Sequence, residues 1–61
     1  MTKQELVNQA TELTVTYWTA TGNFNENQQW KKKGLNKEFW RHTKKSLTNR
    51  ITSLKDKIET L

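Results

Sequence analysis

The sequence predicts an all-α fold: a small helical hairpin or three-helix domain. It would comprise a long N-terminal helix, a short middle helix or ordered loop, and a long C-terminal helix. Three observations carry this reading. Apolar residues recur at spacings of three and four in both halves of the chain. The two glycines, Gly22 and Gly34, each follow such a stretch, where a helix can stop. Proline is absent, so no ring interrupts a helix interior. At 61 residues the chain has room for one small domain over 1–61.

In the first segment, Thr2 followed three residues later by Glu5 has the spacing of a capping box, hydroxyl to backbone amide and carboxylate back to the cap. Leu6, Ala10, Leu13, Tyr17 and Ala20 then fall on one helical stripe, and Gly22 closes it. The run Thr14-Val15-Thr16-Tyr17-Trp18-Thr19 also alternates as a strand would, and it could pair with Phe24 to Trp30 around Thr21-Gly22-Asn23. No third strand is on offer and an isolated hairpin is marginal in water, so helix is the better assignment.

The middle segment has two possible caps with reciprocal partners, Asn23 with Glu26 or Asn25 with Gln28. Its helix would end at Lys33 before Gly34, with Trp30 and Phe24 as apolar anchors. An ordered loop pinned by those two aromatics is the alternative. In the third segment Leu35, Asn36 and Trp40 are spaced as a hydrophobic staple around a cap. A helix of some 24 residues follows, with Leu47, Ile51, Leu54 and Ile58 forming a narrow heptad seam that Lys44 interrupts upstream. That seam suits either an antiparallel pairing with the first helix or a homo-oligomer. On size, self-association or a larger partner is the expected source of extra stability, because one core rarely supplies more than ~3–5 kcal/mol below roughly 70–80 residues.

Charge is concentrated. Between Trp30 and Arg50 lie eight basic residues, Lys31, Lys32, Lys33, Lys37, Arg41, Lys44, Lys45 and Arg50, against Glu38 alone, which makes this window +7 within a total of +5. The rest of the chain, three lysines and five acids, is therefore −2. Like charges gathered this way repel unless something anionic meets them. DNA or RNA, contacted electrostatically at its phosphates, is the leading partner. With six of the eight being lysine, bidentate reading of guanine is disfavoured.

All six aromatics lie between positions 17 and 40 and overlap the basic window, a mixture that can stack on unpaired bases. Tyr17 and Trp40 fall on the core stripes, whereas Trp18 and Phe39 are displaced by one position. An exposed Trp18 or Phe39 would serve as a hot spot on a protein partner. The alternative function is thus a small inhibitor or adaptor that docks on a larger, acidic-surfaced protein. Trp30 beside three lysines also resembles an interfacial membrane anchor, on a segment too weakly amphipathic to rank higher than third.

Catalytic parts are missing. His42 is the single histidine; Ser46 lies four residues on, without a carboxylate placed to orient the pair. Cysteine is absent, the acids are scattered, and neither glycine belongs to a phosphate loop. The expectation is a non-enzymatic regulatory protein with no catalytic residue, metal, cofactor or small-molecule substrate. A mean hydropathy of −1.07 leaves no transmembrane segment, and the polar amino terminus and lack of cysteine suggest the cytoplasm.

Overall fold

A computed structural model describes residues 2–61. It contains α1 (Lys3–Ala20), a 3-10 turn (Glu26–Gln28), α2 (Gln29–Phe39) and α3 (Lys44–Glu59), with no strand among the described residues. Residues 14–19 are helical throughout.

The threonines are accommodated within the helix. Thr11, Thr14, Thr16 and Thr19 each donate their hydroxyl to the carbonyl four residues back, at 2.8 Å. A hydroxyl satisfied by its own helix leaves the methyl free to pack. Thr11 and Thr14 are accordingly buried beside Leu6, Val7 and Ala10. The buried face of α1 is therefore wider than the expected stripe and rotated away from its end: Leu13 and Tyr17 are half-buried and Ala20 is exposed.

The Gly22 stop forms, and Thr2 caps α1, though among the described residues the Glu5 carboxylate makes no return bond to complete the expected box. Thr2 Oγ1 accepts the Glu5 amide at 3.3 Å. At the far end Gly22 takes φ 79°, which lets the Asn23 amide reach the Trp18 carbonyl at 2.7 Å and the Gly22 amide reach Thr19 at 3.2 Å. This is the Schellman pattern, and it needs a residue that tolerates left-handed φ. The Asn25–Gln28 pair makes the capping box of the next element.

The second half departs from expectation in three ways. Gly34 does not stop a helix; it lies inside α2 with an ordinary negative φ. Asn36 is not a cap; its side-chain amide donates to Thr11 Oγ1 at 3.3 Å and joins α2 to α1. The long third helix is broken at residues 40–43. The Arg41 and His42 amides bond carbonyls three residues back, and Thr43 then caps α3 by accepting the Ser46 amide at 3.1 Å.

The break changes the packing. Lys57, near the end of α3, lies over Tyr17, near the end of α1, at 6.0 Å; Lys3, at the start of α1, lies over Trp40, just before α3, at 5.6 Å. So α1 and α3 run in the same direction, not antiparallel, because α2 is a full helix of 11 residues that carries the chain back. Both α2 and α3 pack on α1, giving a flattened body of 29 × 27 × 14 Å. The core is Leu6, Val7, Ala10, Phe39, Leu47 and Ile51, with Leu13 and Leu35 against it. Leu47, Ile51 and Leu54 are thus buried within the chain, where α1 covers the seam that was expected to serve an oligomer; Ile58 is half-buried.

Candidate nucleic-acid interface

The eight basic residues of the window do not form one face. Lys32 Nζ pairs with Glu12 at 3.1 Å across the α1–α2 contact, the one ion pair among the described residues. Lys31 is drawn inward: Nζ donates to the Asn23 carbonyl at 3.2 Å and lies 6.0 and 5.8 Å from the ring centres of Trp18 and Trp30. Lys33, Lys37, Arg41, Lys44, Lys45 and Arg50 are exposed.

Within that exposed set, α2 organises the first three. At 3.6 residues per turn, Trp30, Lys33, Gly34, Lys37 and Arg41 fall within an arc of roughly 100°, opposite the buried Phe39. Arg41 prolongs this stripe because its amide still bonds the Glu38 carbonyl at 3.0 Å. Lys44 and Lys45 follow in the first turn of α3, which has no acid. Their charges add to the positive end of the helix dipole instead of opposing it. Arg50 stands apart, one to two turns further along α3.

Trp30 is the most exposed tryptophan, at 68%, and Trp40 is 40% exposed. Trp18, Trp30, Lys31, Gly34, Leu35 and Glu38 line a shallow groove of about 580 Å³. It adjoins a second groove of about 490 Å³, with which it shares Trp18, Leu35 and Glu38, and which passes between α2 and α3 by Phe39, His42 and Arg50.

The aromatic assignments of the sequence need correction at positions 39 and 40. Phe39 is 4% exposed and belongs to the core, so it is no surface hot spot, whereas Trp40 faces outward. Reading α2 through Gly34 resets the helical phase and turns Phe39 toward α1. Trp18 is half-buried and stacks on Phe24, with ring centres 6.3 Å apart. His42 Nδ1 lies 2.9 Å from Ser46 Oγ, and its ring meets the edge of Phe39 at 5.7 Å. No carboxylate bonds that ring, and no group of three His, Asp or Glu side chains is placed to hold a metal, among the described residues. None of the described helices is long and apolar enough to cross a membrane.

Two residues of the stripe escaped the sequence reading. Trp30 was expected to anchor a core and Gly34 to end a helix. The spacing Trp30, Gly34, Lys37, Arg41, which is i, i+4, i+7, i+11, was the available signal. No protein family matches the chain, and no curated protein or solved structure matches it.

Proposed function

We propose that this chain is a small regulatory protein that binds nucleic acid electrostatically, through the outer face of α2 and the corner at residues 41–45. The observation that carries the reading is the uncompensated charge. Lys33, Lys37, Arg41, Lys44 and Lys45 are exposed, and none makes an ion pair within the described chain. Along the chain they pass from the α2 stripe into the first turn of α3. Such a run matches the regular negative charge of a phosphate backbone, and lysine contacts phosphate as a point charge.

Binding measured by fluorescence anisotropy as a function of salt tests this. Each phosphate neutralised contributes about 0.7 to 0.9 to the slope of log K against log salt. Engagement of four or five cations therefore predicts a slope steeper than about −2.5. Affinity that stays level between low and moderate salt contradicts the proposal.

A second reading, docking on an acidic protein surface, is favoured by one specific observation: the exposed Trp40 lies beside Arg41 at the same corner. An exposed tryptophan next to arginine is the composition of a protein hot spot.

A further inference from the structure

Gly34 is anomalous on physical grounds. Its φ is negative, so no left-handed backbone requires glycine. A Cβ built there meets nothing within 4 Å, so no close packing requires it either. Yet it sits in the middle of α2, where glycine weakens a helix relative to alanine. What the missing side chain does is keep one spot open: Gly34 lies one turn after Trp30 and lines the same groove. The neighbouring side chains at that turn are Lys33 and Lys37.

We infer that the Trp30–Gly34 groove is a stacking site for an unpaired nucleobase, with the exposed Lys33 and Lys37 placed for the flanking phosphates. Nucleic acid would then be taken as a single strand. This deepens the proposed function and rests on it. The indole of Trp30, 68% exposed, offers the flat apolar face that stacking needs. The Lys31 ammonium lies over the Trp30 ring, 5.8 Å from its centre, and over that of Trp18 at 6.0 Å, so one side of the indole already carries a cation. Gly34 lines this groove together with the indole, so a side chain at position 34 would take up part of it. The charge of the stripe selects an anionic ligand over an uncharged aromatic one.

The test compares three oligonucleotides of about twelve units, a length within the range a small binding fold covers. They are oligo(dT), oligo(U), and an abasic deoxyribose strand carrying the same phosphates. Wild-type protein should bind the strands with bases about tenfold more tightly than the abasic strand, since stacking one base contributes on that order. Both oligo(dT) and oligo(U) should exceed the abasic strand, because either base offers a face to stack on the indole. Trp30→Ala should erase the preference for bases without loss of far-ultraviolet helical signal, and Trp30→Phe should retain most of it. Gly34→Ala should raise the melting temperature while reducing that preference. Equal affinity of wild type for abasic and base-bearing strands overturns the stacking site but leaves the electrostatic reading standing. Failure to bind any of the three overturns both. A Gly34→Ala protein that is more stable and keeps the full preference for bases also overturns the assignment of the groove.

Discussion

At the scale of single residues, positions 39 and 40 decide how α2 meets the rest of the molecule. Phe39 is 4% exposed among Leu6, Val7, Ala10, Leu47 and Ile51, while its neighbour Trp40 is 40% exposed with Lys3 over its ring. Removing a buried phenylalanine side chain costs about 3–5 kcal/mol, comparable to all the stability one core of this size supplies. Phe39→Ala should therefore abolish the cooperative thermal transition followed by circular dichroism. Trp40→Ala should cost about 2 kcal/mol, less than Phe39→Ala, and keep the transition. The reverse ranking contradicts the packing described. From sequence the two are hard to separate, because their assignment depends on which helix they continue. Counted from an Asn36 cap, Trp40 points inward; counted along α2, Phe39 does.

At the scale of elements, much was legible, and what was not has specific causes. Thr2, Gly22 and the Asn25–Gln28 pair occupy the positions that the sequence pattern indicates, since caps and left-handed turns are set by local chemistry. The extent of α1's buried face was less legible, because Thr11 and Thr14 count as polar until their hydroxyls are seen to be satisfied by Val7 and Ala10 carbonyls. The break between α2 and α3 left a trace in the heptad pattern. Lys44 interrupts the seam upstream of Leu47, and it is the residue at which α3 begins. Thr43 accepting the Ser46 amide is what starts the new helix. Thr43→Ala should destabilise the domain by about 1 kcal/mol in urea titration, and Thr43→Asn should restore it. An unchanged midpoint in Thr43→Ala would mean that the cap does not define the start of α3.

At the scale of the whole molecule, the return path through α2 sets both the core and the charge. Because α2 spans the distance back along α1, α3 packs parallel to α1 and its seam is covered within the chain. The same path turns the other side of α2 outward with Trp30, Lys33, Lys37 and Arg41 on it. Of the eight cations concentrated between residues 31 and 50, Lys32 is neutralised by Glu12 and Lys31 is held by the Asn23 carbonyl. The exposed remainder gives the candidate site its location. Sequence arithmetic located the charged stretch but not the division within it, since that division depends on Glu12 and Asn23, both outside the window. Two pairs of substitutions with equal change in charge test the central claim most directly. One pair is Lys33→Gln with Lys37→Gln; the other is Lys55→Gln with Lys57→Gln. Salt-dependent affinity for a single strand should lose roughly 1.4 from the slope of log K in the first pair, at about 0.7 per phosphate, and keep the wild-type slope in the second. Equal losses from both pairs would show that net charge alone drives binding, and would contradict a site on the outer face of α2.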